Sequence, residues 1–178
     1  MDDIAAAAGI AKPTLYHYFK SKDEILLEIH EAFIDLLIER HSERMRSAMT
    51  STELLLGAMT DIFSLRETHR GHVRVFFEYY RQLPEPHRTT IRTKRNLYRS
   101  MIEDSIRRGV AAGEFRDVDP ALTTIAIFAL CNWSHLELSR VGEKLRARQF
   151  AETFWDYLVH GITAPDHGSA RQNGKASR

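Results

Sequence analysis

Apolar residues recur every three or four positions along most of this chain, a spacing that predicts an all-α protein. The first segment carries Ile4, Ala5 and Ala8 on one small face and stops at Gly9. Glycine suits a helix C-terminus because it alone adopts the left-handed backbone freely. Pro13 falls in the first turn of a second short helix, where its missing N–H costs nothing. In that helix Leu15 and Phe19 are four apart and turn inward, while Thr14, Tyr16 and His17 fall on the outward side. Ile10 is positioned to plug the angle between the two helices. Ser21 followed by Glu24 reads as a capping box. It opens a third helix, expected to run to about Met49, with Ile25, Leu26, Ile29, Phe33, Leu36 and Leu37 along its apolar stripe.

Thr50 with Glu53 repeats the capping-box signature, and Leu54, Leu55, Ala58, Met59, Ile62 and Phe63 form the next stripe. A polar break at residues 67–71 ends it. Val73, Phe76, Phe77 and Tyr80 begin another, stopped at Leu83-Pro84-Glu85-Pro86. A long helix is expected from His87 to Ala112, with Ile91, Tyr98, Met101, Ile102 and Ile106 on its buried face. Asp119 then caps a helix that starts at Pro120. Residues 121–133 are apolar nearly all round, which predicts burial on more than one side. The last helix is expected over Arg146 to Gly161, with Phe150, Phe154, Leu158 and Ile162 in line. Residues 163–178 are polar without an apolar stripe, the composition of a disordered tail.

Composition narrows the function. The 178 residues carry a formal net charge of +1, so contact with nucleic acid must come from a local patch. The single cysteine, Cys131, excludes an internal disulfide and fits a reducing cytoplasm. No apolar run reaches membrane-spanning length, and the amino terminus, with two aspartates and no basic stretch, does not read as a secretory signal. A cytoplasmic protein with no membrane partner is expected.

The local patch lies at residues 11–22, which hold Lys12, Lys20 and Lys22 and no acid. Helix, glycine turn and second helix give the outline of a helix-turn-helix, whose second helix lies in the DNA major groove. The run Asp-Ile-Ala-x-x-Ala-Gly-Ile-x-Lys-Pro-Thr-Leu-Tyr-His-Tyr-Phe-Lys-Ser-Lys-Asp-Glu resembles the DNA-binding signature of the TetR family of bacterial transcription regulators. That resemblance implies a DNA-binding set of Lys12, Pro13, Thr14, Tyr16, His17, Lys20 and Lys22. Lys12, Thr14, Tyr16 and His17 would face bases or phosphates, Tyr16 through its hydroxyl, and Lys22 would hold a phosphate at the start of the third helix. The chain departs from the pattern twice. Ala11 stands where the family often has a Ser or Thr cap, a loss of about 1 kcal/mol. Family members also carry 20–30 earlier residues that form an amphipathic first helix, whereas this chain starts directly on the second.

The resemblance therefore implies residues 1–28 as an incomplete helix-turn-helix domain lacking its first helix, 29–162 as a helical ligand-binding and dimerisation domain, and 163–178 as the tail. The implied partners are double-stranded operator DNA, a small hydrophobic effector and a second copy of the chain. The homodimer would form through the last two helices, here about 119–139 and 146–162, with Trp155 and Tyr157 at the interface.

Candidate effector-lining residues are Phe63, Phe76, Phe77, Tyr80, Tyr98, Met101, Phe128, Asn132 and Trp133; the competing reading is that they are simply core. Asn132 would either orient a ligand or bond a neighbouring backbone. The Cys131-Asn132-Trp133 step and the Val75-Phe76-Phe77 region look similar to TetR-like regulators of lipid and steroid catabolism, which sense acyl-CoA thioesters. Arg88, Arg92, Arg95 and Arg99 share one face of the long helix. Such a stripe holds the phosphates of a CoA moiety or is only a solvated face. His69-x-x-His72 has metal-ligand spacing but no accompanying Cys or Glu-x-x-His, so no metal and no cofactor are expected. Asp156 and His160 read as a surface hydrogen-bonded pair, and no nucleophile or phosphate-cradling motif suggests an enzyme. The sequence thus reads as a ligand-controlled transcriptional regulator, a repressor in the family's commoner mode. The alternative is a dimeric ligand-binding module that no longer binds DNA.

Overall fold

The computed structural model describes residues 1–69, 71, 75–76, 78–141 and 147–160, except the side chains of 66, 67 and 133–141. Among these residues seven α-helices follow one another: α1 (Asp2–Ala8), α2 (Lys12–Tyr18), α3 (Lys22–Met45), α4 (Ser51–Thr68), α5 (His87–Ala111), α6 (Pro120–Val141) and α7 (Ala147–His160). A 3-10 turn at Tyr80–Gln82 precedes α5. The all-α expectation holds. The polar segment 163–178 lies outside the described residues.

Gly9 ends α1 in the left-handed conformation, φ 67° and ψ 25°. Its N–H donates to the Ala6 carbonyl at 3.2 Å and that of Ile10 to Ala5 at 3.1 Å, a full Schellman closure. The closure carries Ile10 outward, so its side chain is 40% exposed and does not plug the inter-helix angle. Pro13 sits in the first turn of α2, and Ala11 gives that helix no side-chain cap. Ser21 Oγ accepts the Glu24 N–H at 3.2 Å, as expected. The return half of that capping box is displaced by one residue: the Glu24 carboxylate takes the N–H of Lys20, at 2.6 Å, in place of that of Ser21.

α3 stops at Met45, four residues before the expected end. The Ser47 N–H and hydroxyl both donate to the Arg44 carbonyl, at 3.0 and 2.6 Å, and turn the chain out of the helix. The Thr50–Glu53 capping box then opens α4 with both halves formed. The Glu114 carboxylate adds two more bonds there, accepting the N–H groups of Ser51 and Thr52 at 3.0 Å each. These bonds hold its carboxyl below the ordinary glutamate range.

α4 lies at the centre and packs against α3, α5, α6 and α7. Leu55, Met59, Phe63, Ile102, Ile106 and Ile127 are almost fully buried around it. Gly109 lets the Phe115 ring lie flat on α5, since a Cβ there would stand 2.2 Å from Phe115 Cε2. Two polar clasps join α3 to its neighbours. Lys94 of α5 pairs with Glu31 and Asp35 at 2.7 and 2.6 Å. Arg40 and Arg44 both bond Asp61 of α4.

α6 is buried on one side only in the single chain. Thr124, Ile127 and Cys131 face the core, whereas Leu122 and Ile125 are 67% and 56% exposed. The apolar residues on its other sides have no covering element within the described chain. Trp155 of α7 also departs from expectation. It is buried inside the chain, 6.2 Å from the Phe115 ring, and Tyr157 is the exposed residue of that pair.

Candidate functional site

Two sites are linked by one helix. At the amino-terminal end α2 holds Leu15 inward and leaves Thr14, Tyr16 and His17 exposed. Lys12, Pro13, Lys20 and Lys22 lie on the same module and are exposed as well. Thus all seven sequence candidates for DNA contact are exposed on one short stretch. The ring of Tyr18 meets His17 edge-on at 5.2 Å and extends the exposed surface. One feature of the site lies outside the segment 11–22. Lys12 Nζ pairs with Asp2 of α1 at 2.8 Å. The hydrogen bond raises the Lys12 pKa and holds the Asp2 carboxyl below its ordinary range. Counting acids along α2 alone misses this partner, because it comes from the facing helix ten residues earlier.

Behind this module α3 enters the helical body, where α3, α4, α5 and α6 line a half-open cavity of about 170 Å³. Phe33, Ile34 and Leu37 of α3 form one wall, with Ile62 of α4 beside them. Phe76, Tyr98, Arg95 and Arg99 form another, and Phe128 and Asn132 of α6 complete the lining. Four of the sequence candidates, Phe76, Tyr98, Phe128 and Asn132, therefore meet at one cavity. Phe63 does not belong to it. α4 turns Phe63 toward α7, where it stacks on Phe150 and meets Phe154 at a tilt, with ring centres 5.9 Å away in each case. Met101 also lies off the cavity, one turn along α5 toward Ser105, whose hydroxyl donates to its carbonyl at 3.0 Å. Tyr80 does not line the cavity but packs against Arg95, which does. Phe77 and the Trp133 side chain lie outside the described residues, as does His72 of the His-x-x-His pair.

The arginine stripe of α5 divides into two parts. Arg88 is spent on Glu85 at 2.8 Å and Arg92 donates to Thr89 at 3.1 Å, both on the exposed surface. Arg95 and Arg99 reach the cavity. The Arg95 guanidinium carbon stands 4.0 Å from the Phe76 ring centre and 4.2 Å from that of Tyr80. Its Nη2 donates to the Phe76 carbonyl at 3.1 Å. Its Nε is buried without a hydrogen-bond partner. Burial pulls the Arg95 pKa down. Two further polar groups adjoin this wall. The buried Tyr98 hydroxyl has no partner, and burial pushes its pKa up, so it stays protonated. His30 Nδ1–H donates to the Leu26 carbonyl at 2.6 Å, with its ring 5.5 Å from Phe76. Burial pulls the His30 pKa down and favours the neutral ring.

Sequence reasoning missed the aliphatic wall from α3 and Ile62. Their side chains repeat at core spacing and carry no polar mark of a cavity. It did single out Arg95 and Arg99, but only as members of a stripe.

The profile for bacterial regulatory proteins of the tetR family matches residues 1–29. The profile for the tetracyclin repressor-like C-terminal domain matches residues 39–162. The chain is similar to the HTH-type transcriptional repressor KstR2 of Mycolicibacterium smegmatis, with 29% identity over 163 residues, 90% of this chain and 79% of the relative. Its fold matches the TetR family regulator PfmR of Thermus thermophilus, with a TM-score of 0.82, 28% identity and coverage of 91% and 88% of the two chains. It also matches the regulator FadR of Bacillus subtilis, solved in complex with stearoyl-CoA, with a TM-score of 0.76, 25% identity and coverage of 91% and 88%. Two profiles that together span nearly all of the described helices, over a helix-turn-helix joined to a helical body, give one conclusion: the chain belongs to the TetR family of bacterial transcription regulators.

Proposed function

We propose that this chain is a dimeric, ligand-responsive repressor that leaves its operator when a small hydrophobic effector, of the acyl-CoA class or its acyl part, enters the cavity between α3 and α6. The observation that carries this reading is the continuity of α3. Its first residue is Lys22, beside the recognition helix, and its Phe33, Ile34 and Leu37 are walls of the cavity. A ligand there touches the element that sets the position of α2. It acts by binding one arrangement of α3 more tightly than the other. Support comes from the relatives: one is named a transcriptional repressor and another is solved with stearoyl-CoA.

In this reading Lys12, Thr14, Tyr16 and His17 contact bases or phosphates of double-stranded operator DNA, Lys20 and Lys22 contact phosphates, and Pro13 fixes the start of the recognition helix. Two copies are needed, because one short helix reads too few base pairs and two half-sites a helical turn apart supply specificity. The exposed apolar residues Leu122, Ile125, Tyr157 and Val159 on α6 and α7 fit the second copy. The protein works in the cytoplasm.

The test is fluorescence anisotropy on the DNA flanking its own gene, with salt varied, followed by addition of octanoyl-CoA. The expected result is two chains per site, affinity that falls steeply with salt, and release by the thioester. A chain that dimerises and binds the thioester yet ignores its flanking DNA would be a ligand-binding module instead.

A further inference from the structure

Arg95 is a half-buried cation without a carboxylate partner among the described residues. Its neighbours on α5 are served differently: Arg88 and Lys94 each have acidic partners. A buried charge is costly unless it is paired, so an unpaired guanidinium on a cavity wall is a position where an anion stabilises the protein as well as itself. Two aromatic rings pack against the guanidinium, so hydrogen bonds leave through its edge. On that edge only Nη2 is used, by the Phe76 carbonyl, while Nε is buried and idle. Nε with a terminal nitrogen forms the fork that receives a carboxylate or phosphate side-on. Arg99, one turn further along α5, adds a second cation to the same lining. It makes no hydrogen bond or ion pair with the described residues.

Volume limits what accompanies the anion. The rest of the wall is apolar, and the cavity measures about 170 Å³. A cavity of roughly 150 Å³ accommodates a benzene-sized molecule. The buried portion of the ligand is therefore a ring or a short chain.

We propose that this pocket takes a compact amphipathic oxyanion: a ring- or short-chain-sized apolar group enters between Phe33, Leu37, Ile62 and Phe128, and the Arg95 edge holds the negative oxygen. This rests on the reading of the cavity as the effector site and adds the chemistry by which it selects. The oxyanion is either a free carboxylate or a phosphate of a larger conjugate, and both meet the same fork.

Isothermal titration of the full chain with octanoate, 1-octanol and octanoyl-CoA tests the proposal, using wild type, Arg95→Gln and Arg95→Lys. We expect an anionic probe to bind about tenfold to hundredfold more tightly than 1-octanol, the value of a charge-assisted hydrogen bond. That advantage disappears in Arg95→Gln and partly returns in Arg95→Lys, while 1-octanol binds all three proteins alike. If Arg95→Gln weakens octanoate, the anion is a carboxylate; if it weakens octanoyl-CoA alone, the anion is a phosphate. Equal binding of octanoate, octanoyl-CoA and 1-octanol overturns the proposal, as does an advantage that survives Arg95→Gln or binding of none of them. If Arg95→Gln does not fold, Arg95→Lys alone carries the test: it should keep only part of the anion's advantage over 1-octanol, and an undiminished advantage overturns the proposal. Operator binding without any probe is measured separately. Its failure would sink the repressor reading and leave the selectivity result standing.

Discussion

The guanidinium of Arg44 on α3 grips the carboxylate of Asp61 on α4 with both terminal nitrogens, Nη1 to Oδ2 at 2.5 Å and Nη2 to Oδ1 at 2.9 Å. Arg40 adds a third bond to Oδ1 at 3.1 Å. Gly57 makes this possible: a Cβ there would stand 2.9 Å from Arg44 Nε. Removing one member of a buried pair costs about 3–5 kcal/mol, and less here because both arginines keep some water. Asp61→Ala should therefore destabilise the chain by about 2 kcal/mol, a fall in Tm of about 4–8 °C at this length. Thermal denaturation followed by circular dichroism measures it, and an unchanged Tm would mean the clasp adds nothing.

Acid should weaken the protein through its buried histidines. The Ser105 hydroxyl donates to the Met101 carbonyl, so His41 Nε2–H must be the donor across 3.0 Å to Ser105 Oγ, which leaves Nδ1 bare. Burial, and then the nearby Arg44, push the His41 pKa down; the Met101 carbonyl and Asp61 oppose this and Arg108 reinforces it. The native state thus holds its proton less firmly than the unfolded chain. Stability is full above the unfolded value of about 6.5 and falls as pH drops from there toward the native pKa, by at most about 1.4 kcal/mol per pH unit for each such group. His41→Gln should give a shallower decline between pH 7 and 5 in urea titrations at fixed temperature. An identical slope would remove His41 as a source.

If Lys12 contacts DNA as proposed, Asp2 competes for it, because the two are paired at 2.8 Å. An exposed pair of this kind adds little to stability, but in that reading a phosphate must replace the carboxylate on the cation. Asp2→Asn should raise DNA affinity by roughly twofold to fivefold with Tm nearly unchanged, as for an exposed ion pair. Weaker binding by the variant would show that Asp2 aligns Lys12 for its contact.

Base reading and phosphate anchoring separate by substitution. His17→Ala should weaken specific binding by about 1–3 kcal/mol and leave binding to random duplex almost intact. Lys22→Ala should weaken both alike and reduce the salt slope by about one. Parallel anisotropy titrations on operator and random DNA decide it; equal losses for His17→Ala would mean that it reads no base.

The helical architecture was legible in the sequence because its signals are local. Thr50 with Glu53, Asp119 with Pro120, and Gly9 each mark a boundary with a side chain or a backbone need, and each marks it in the structure. The end of α3 was not legible. It depends on Ser47 turning back on Arg44, while Met49 continues the helical spacing. The cavity was half legible for a related reason. Aromatics stand out in a sequence, but whether Phe63 faces a cavity or α7 depends on how helices far apart in the chain are rotated. The pairing of Lys12 with Asp2 and the seclusion of Arg95 have the same origin. Charge counts follow the chain, whereas partners come from the facing helix.

The arrangement of α3 has a mechanical consequence. Its Arg44 end is pinned to α4, and the helix then runs unbroken to Lys22, about 33 Å away at the rise of an α-helix. Leu37 and Phe33 press on the cavity about 10 and 16 Å from that pin. If α3 pivots as a rod about Asp61 and the Lys94 clasp on Glu31 and Asp35 gives way, a displacement at Leu37 would grow about threefold, and one at Phe33 about twofold, by the time it reaches α2. Under the proposed repressor reading, a displacement too small to disturb the core would then shift the spacing between the two copies of α2, with a gain set by where along α3 the ligand pushes.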